Sequence, residues 1–329
     1  MIGRRAKLLL LLGGVAAAAA MVVARNYRAD LGAAEQRLAG RSEVVQTRHG
    51  RMEYAIVGKG EPILMVHGTG GGFDQGLTFT EGLLPYGYRI IAPSRFGYLR
   101  SDFPADPSSE GQAEAFVDLL DSLGIDRVTI AGGSAGALSA AQFALRHPDR
   151  CKALILIVPA ANVRGDDPVD MRPLQRAAVN KLTTSNFLFW TLSNLARDQM
   201  VRTLLATEPE LVRQAAAPER ARAYRILDEI MPVERRSRGL LNDARLAGSP
   251  ASMDFSRIKV PTLAISARDD RFGTAATARD LAATMPIAKL HIFPDGGHIW
   301  VGHDKDLWRI VADFMSQTPR PQTAVTKRL

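Results

Sequence analysis

Apolar runs of five or six residues recur along this chain, and stretches with helical spacing separate them. Pro62-Ile63-Leu64-Met65-Val66, Tyr88-Arg89-Ile90-Ile91-Ala92-Pro93, Arg127-Val128-Thr129-Ile130-Ala131, Ala153-Leu154-Ile155-Leu156-Ile157-Val158, Val260-Pro261-Thr262-Leu263-Ala264-Ile265 and Lys289-Leu290-His291-Ile292-Phe293 read as strands. Strands so uniformly apolar belong in a sheet covered on both faces. Before them, Val44-Val45-Gln46-Thr47 and Met52-Glu53-Tyr54-Ala55-Ile56-Val57 flank a turn at His49-Gly50, which predicts a β-hairpin. Helical patterns occupy residues 109–123, 134–147, 274–284 and 304–315. Alternation of this kind predicts an α/β fold with a mostly parallel sheet flanked by helices.

The periodicity changes across residues 162–255, which hold helical segments and no convincing strand. The core is therefore expected in two parts, 43–161 and 256–315, around a helical insertion. The tail, 316–329, carries two prolines and no apolar period, and is expected to be disordered.

Arg4, Arg5 and Lys7 precede an uncharged run from Leu8 to Ala24, after which Arg25 and Arg28 follow. A helix of 17 residues spans roughly 25 Å against the ~30 Å of a bilayer core. Residues 1–24 are read as a membrane anchor or a signal segment, with small-residue cleavage sites at Ala18-Ala19-Ala20 and Val22-Val23-Ala24. The retained anchor is the favoured reading. The excess of positive charge before the run then predicts an extracytoplasmic domain, membrane-anchored, or secreted or periplasmic after cleavage. Residues 25–42 read as a polar, partly helical stalk.

The net charge of +8 changes little, because of where it lies. Residues 1–60 hold ten Lys/Arg against four Asp/Glu, residues 316–329 three against none, and residues 61–315 hold 29 against 30. A near-neutral body argues against a nucleic-acid partner. The single cysteine, Cys151, excludes an internal disulfide, and no cysteine or histidine cluster offers a metal site.

Gly132-Gly133-Ser134-Ala135-Gly136 follows the strand at 127–131 and opens a helix-forming stretch. In this G-x-S-x-G context a serine sits on a sharp strand-to-helix turn. Glycines two residues either side make room for the close approach of neighbouring backbone. The turn also aims N–H groups at developing negative charge.

With these residues in place the chain resembles the α/β-hydrolase fold superfamily over about residues 43–315. His67-Gly68-Thr69-Gly70 resembles the family's H-G-x-G oxyanion loop. Residues 92–101, Ala92-Pro93-Ser94-Arg95-Phe96-Gly97-Tyr98-Leu99-Arg100-Ser101, resemble its turn after the fourth strand, although Ser94 stands where an Asp is usual. The resemblance implies an eight-stranded-type sheet with a helical cap between core strands six and seven. It also implies a triad in the chain order serine, acid, histidine.

By that resemblance Ser134 is the nucleophile, Asp270 the acid and His298 the base. The N–H groups of Ala135 and of Thr69 or Gly70 are the expected oxyanion hole. Imidazole is needed to take the serine proton, and the carboxylate to fix its tautomer. Asp269 is the rival acid, its other use being to cap a loop. His303 is the rival base, and Asn162 stands where some relatives keep their acid. His67 is expected to position its loop by a hydrogen bond. Phe187, Phe189 and Trp190 are candidates for an apolar substrate pocket, with helix packing as the competing use.

The leading expectation is hydrolysis of a small apolar carboxylic ester through an acyl-serine, with no cofactor. Carbon–carbon bond hydrolysis, lactonase or perhydrolase activity on the same triad, and a non-enzymatic small-molecule receptor, stay open. Carbon–carbon hydrolases of this fold commonly carry Trp directly after the catalytic histidine; here Ile299 stands there and Trp300 follows.

Overall fold

Alternate residues of one strand serve two cores, and this explains the continuous apolar runs. The computed structural model describes residues 4–161, 163, 173–248 and 253–318. Strand β3 (Glu61–Val66) sends Ile63 and Met65 into one apolar cluster and Leu64 and Val66 into another. This follows from the two-residue period of a strand. The other strands are β1 (Glu43–Thr47), β2 (Gly50–Gly58), β4 (Tyr88–Pro93), β5 (Val128–Gly133), β6 (Cys151–Ile157), β7 (Thr262–Ala267) and β8 (Ala288–Phe293). They form one eight-stranded sheet in the order β1-β2-β4-β3-β5-β6-β7-β8. Strand β2 runs antiparallel to both β1 and β4, and the remaining pairs are parallel.

Strand order reverses at β3, which pairs with β4 on one side and β5 on the other. The connections leaving β3 and β5 therefore diverge and open a crevice at the carboxyl ends of the strands, the usual ligand position in such sheets. The α/β-hydrolase fold expected from the sequence is the fold observed.

Helix α1 (Arg4–Leu38) precedes the sheet, α2 (Phe73–Thr80) follows β3, α3 (Ser109–Ser122) follows β4, and α4 (Gly136–Arg146) follows β5. Between β6 and β7 run α5 (Pro173–Thr183), α6 (Asn186–Leu195), α7 (Arg197–Leu204), α8 (Pro209–Gln214), α9 (Ala217–Asp228) and α10 (Ser237–Gly248). Helices α11 (Thr274–Thr284) and α12 (Asp304–Gln317) complete the chain. Helix α2 is not anticipated from the sequence. It carries Gly76 in its middle, where a Cβ would lie 3.0 Å from Ala92 Cβ and 3.2 Å from the Met65 carbonyl, so the helix lies close on the sheet. Gln317 lies in α12, two residues past the expected end; residues 319–329 of the expected tail lie outside the described residues.

The N-terminal segment requires correction. Among the described residues no helix is long and apolar enough to cross a membrane. The apolar run is short, six of its 17 residues are alanine and two are glycine, and charges follow at Arg25, Arg28 and Asp30. The localisation drawn from it, anchored and extracytoplasmic or released after cleavage, is withdrawn, and with it the membrane as a partner. The expected stalk is instead the end of one continuous helix seated on the domain. Ala34 and Leu38 are buried in the larger apolar cluster. Asp30 accepts the Trp190 indole N–H at 2.7 Å, Glu35 pairs with Arg235, and Arg37 donates to the carbonyls of Asp228 and Met231 at 3.0 and 3.2 Å.

If this seat belongs to the core, Leu38→Ala destabilises the domain by about 2–4 kcal/mol in urea unfolding. Deletion of residues 1–24 should shift the midpoint far less; the reverse order would overturn the assignment.

Candidate active site

Strand β5 delivers Ser134 into a backbone conformation that serine rarely adopts, with φ of 50°. Such a conformation costs on the order of 1 kcal/mol or more and persists only where its surroundings hold it. Here the Ser134 N–H donates to the Ile157 carbonyl at 2.9 Å, and the Ser134 carbonyl accepts from Ala137 and Ala160 at 3.0 and 3.1 Å. The flanking glycines are sterically required. A Cβ on Gly132 would lie 2.7 Å from the Gly136 carbonyl oxygen, and one on Gly136 would lie 2.5 Å from the carbonyl oxygens of Val66 and His67.

His298 stands on a 3-10 turn, Gly297–Ile299, after β8. Its Nε2 lies 2.9 Å from Ser134 Oγ and its Nδ1 lies 2.8 Å from Asp270 Oδ2. A carboxylate can only accept, so Nδ1 carries the proton and donates, which leaves the Nε2 lone pair facing the serine hydroxyl. Asp270 is held in turn by the Phe272 N–H at 2.9 Å and by the Thr274 hydroxyl. The adjacent Asp269 points elsewhere and accepts the Gly297 N–H at 2.9 Å, capping the histidine's own loop. Thr207, from the loop between α7 and α8, accepts the His298 N–H at 3.0 Å, and the Phe272 ring meets the imidazole edge-on with centroids 4.9 Å apart. His303 pairs with Asp295 at 2.7 Å and stacks on Phe293, and makes no contact with Ser134.

Strand β3 delivers the loop His67–Gly72 beside this relay. Among the described residues, the N–H groups of Thr69 and Ala135 donate to no protein group. The Gly70 N–H is already engaged with the Tyr98 hydroxyl at 3.2 Å, so Gly70 departs from the expected donor set. His67 is fully engaged as well. Its Nδ1–H donates to the Gly68 carbonyl at 2.7 Å and its Nε2 accepts the Arg95 N–H at 3.0 Å. Burial, with the Arg95 charge, holds its pKa well below the usual histidine range, so it stays neutral. Its role is the position of the loop.

Ser134, Ala135, Thr69 and His298 open onto a cavity of about 430 Å³. Phe79, Leu204, Leu205, Ile226 and Phe272 give it a largely apolar wall, and no Lys or Arg stands among its described lining residues. The aromatic residues expected there do not line it. Phe189 is buried in the core, while Phe187 and Trp190 pack with Tyr27 of α1 at centroid separations of 5.2 and 5.6 Å. Those three form the seat of α1. The actual wall comes from α2, α7 and α9 and from Leu205 and Phe272 beside helices, apolar residues that carry no local mark of a pocket; Asn162 lies outside the described residues.

Comparison with known proteins agrees with this fold. A model of the family described as alpha/beta hydrolase fold matches residues 61–301. The 2-hydroxy-6-oxo-6-phenylhexa-2,4-dienoate hydrolase of Burkholderia cepacia is 28% identical over 273 residues, covering 81% of this chain and 91% of the relative. The 2-hydroxy-6-oxononadienedioate/2-hydroxy-6-oxononatrienedioate hydrolase of Paraburkholderia xenovorans (strain LB400) is 31% identical over 295 residues, covering 84% and 96%. Among solved structures, an alpha/beta hydrolase fold protein from Nakamurella multipartita superposes with a TM-score of 0.65 at 27% identity, covering 83% of this chain and 98% of that one.

Behind the loop lies a carboxyl group that makes the fold sensitive to pH. Glu229 accepts the Thr78 hydroxyl at 2.7 Å through Oε1, while its Oε2 is buried with no protein partner among the described residues. Burial, reinforced by the Asp74 charge, pushes its pKa up to about 7 from an ordinary 4.5. The folded state therefore favours the protonated form. Its contribution is fully present below about pH 4.5 and is lost as pH rises through about 7. Glu229→Gln should consequently be more stable than the parent at pH 8, by up to the order of 3 kcal/mol, and no more stable at pH 4. Unfolding midpoints at the two pH values check this; an equal effect at both would refute it.

Proposed function

The chain belongs to the alpha/beta hydrolase fold family, and from that premise we propose that it hydrolyses a carbon–carbon bond next to a ketone, with Ser134 as nucleophile, His298 as base and Asp270 as its partner. The observation that carries the chemistry is the line Asp270–His298–Ser134, with spacings of 2.8 and 2.9 Å, opening onto an apolar cavity. The choice of bond rests on the curated relatives, which are named as hydrolases of hydroxy-oxo-dienoates. They favour this reading over the ester hydrolysis with which the sequence alone leads.

Ser134 Oγ attacks the ketone carbon while its proton passes to His298 Nε2. The carbonyl electrons move onto oxygen, and the Thr69 and Ala135 N–H groups receive that charge; one such donor is typically worth about 3–4 kcal/mol. Collapse re-forms the carbonyl and breaks the carbon–carbon bond. The departing carbon takes the electron pair and then the proton from His298. A carbon leaves this way only if conjugation spreads its charge, so the substrate carries a second unsaturated carbonyl system. Water, deprotonated by His298, then cleaves the acyl-Ser134 ester.

One observation favours a second reading, hydrolysis of a neutral ester or lactone. A dienoate brings a carboxylate, and the described cavity lining offers it no Lys or Arg. The same relay and oxyanion donors serve that reaction, with oxygen as the leaving atom.

The test is turnover of 2-hydroxy-6-oxo-6-phenylhexa-2,4-dienoate beside p-nitrophenyl butyrate and a γ-lactone, each with Ser134→Ala and Asp270→Asn. We expect kcat on the dienoate to fall by about 10³-fold or more in both variants, with KM little changed. Turnover confined to the ester or lactone would transfer the assignment to the second reading. Activity that survives Ser134→Ala would remove both.

A further inference from the structure

Asp243 lies on α10, more than a hundred residues from Ser134 in sequence, yet its carboxylate ends a chain of contacts on the loop beside the serine. Asp243 Oδ1 accepts from Arg95 Nη1 at 2.6 Å, and Oδ2 accepts from Arg95 Nη2 at 2.6 Å and from the Tyr98 hydroxyl at 2.5 Å. Arg95 passes the contact on, donating Nε to the His67 carbonyl at 3.0 Å and Nη2 to the Gly68 carbonyl at 3.1 Å. The Tyr98 hydroxyl accepts the Gly70 N–H at 3.2 Å. Asp243, Arg95 and Tyr98 are all buried. Burial, with the Asp243 charge, raises the Tyr98 pKa well above the usual tyrosine range, so the phenol keeps the proton it donates.

A second contact from the same insertion, made by Arg236 just before α10, reaches the far end of the loop. Arg236 pairs with Asp74 at 2.7 Å and donates to the Gly71 carbonyl at 2.5 Å. Gln75 accepts the Gly68 N–H at 3.0 Å. From Gly68 to Gly71, the N–H groups of Gly68, Gly70 and Gly71 all have protein acceptors, and among the described residues the Thr69 N–H has none.

We propose that the inserted helices are a fixed part of the oxyanion hole, with Asp243 as a positioning residue that acts through Arg95 and Tyr98. It turns the carbonyls of His67 and Gly68 and the N–H of Gly70 away from the reacting centre and leaves the Thr69 N–H to face it. A helical cap so tied cannot lift away as a rigid lid without loosening the donor it holds. Stability alone gives little reason for the cluster, since well-packed apolar residues often replace buried ion pairs without loss. All of its outward contacts, however, end on one functional loop.

This inference rests on Ser134 being the nucleophile, and its test reads that serine directly. An alkyl fluorophosphonate forms an Oγ–P bond with Ser134 as the P–F bond breaks; fluoride leaves, the serine proton goes to His298, and the P=O oxygen takes the oxyanion position. The full-length parent should label at Ser134. In Asp243→Asn the saturating labelling rate should fall about 100-fold per folded molecule, the scale of a misplaced oxyanion donor, while the half-saturating concentration stays within about threefold. Tyr98→Phe keeps the Arg95–Asp243 pair and carries the test if Asp243→Asn folds poorly. Its rate should fall about tenfold, the loss of one hydrogen bond, and amide exchange at residues 67–72 should rise.

Parent-like labelling rates per folded molecule in the folded variants would overturn the inference and leave the nucleophile standing. A parent in which Ser134 does not label would overturn the nucleophile, and this inference with it.

Discussion

The 2.9 Å hydrogen bond between His298 Nε2 and Ser134 Oγ sets the terms for the rest of the molecule. It joins the end of β5 to the end of β8, so it exists only if both loops are held to within a few tenths of an ångström. On the serine side, the strained backbone at Ser134 is fixed by hydrogen bonds to β6 and to the first turn of α4. On the histidine side, Asp269 and Thr207 hold the backbone while Asp270 holds the ring. Neighbouring aspartates thus do different work, one on the peptide and one on the imidazole.

The second constraint is burial of charge beside that bond. Arg95, Asp243, Arg236 and Asp74 are almost wholly removed from water, and each loses several kcal/mol of hydration that pairing must restore. Through further hydrogen bonds of Arg95 and Arg236, both pairs tie the insertion between β6 and β7 to the loop His67–Gly72. The arrangement makes sense if loop geometry, rather than net stability, is what the ion pairs secure. Glu229, nearby, keeps Oε2 buried without a protein partner among the described residues, and burial reinforced by the Asp74 charge raises its pKa.

The parts of this structure that were legible in the sequence are those in which neighbours in the chain act together. Strands buried on both faces leave unbroken apolar runs, and helix α11 matches its expected span because its sequence pattern is local. The serine turn, the glycine-rich histidine loop and the acid between them are short patterns, and the fold brings them together. The cavity wall was not legible, because Phe79, Leu204 and Ile226 converge from three helices and each looks like ordinary core. The aromatic run at 187–190 misled for the same reason: its partner is Tyr27, some 160 residues away, and no local pattern announces that contact. Gly70 shows a finer limit. Its N–H sits in the expected loop but is spent on Tyr98, a distinction only three-dimensional placement can make. The N-terminal run was overread from its lack of charge; among the described residues no helix is long and apolar enough to cross a membrane.

The character of the cavity bears on the chemistry as much as the relay does. An apolar wall excludes water from the carbonyl under attack, which strengthens every hydrogen bond to the developing oxyanion. The same wall penalises a substrate that carries charge unless a cation meets it. Carbon–carbon cleavage asks for a conjugated system that accepts an electron pair, whereas ester cleavage asks only for an oxygen that does. On the proposed assignment the relay and the N–H groups of Thr69 and Ala135, which among the described residues donate to no protein group, serve both, since each reaction begins with the same addition to a carbonyl. On the proposed function, discrimination therefore lies in what the cavity does with the leaving group, at the wall formed by Phe79, Leu204, Leu205 and Ile226, and not in the triad itself.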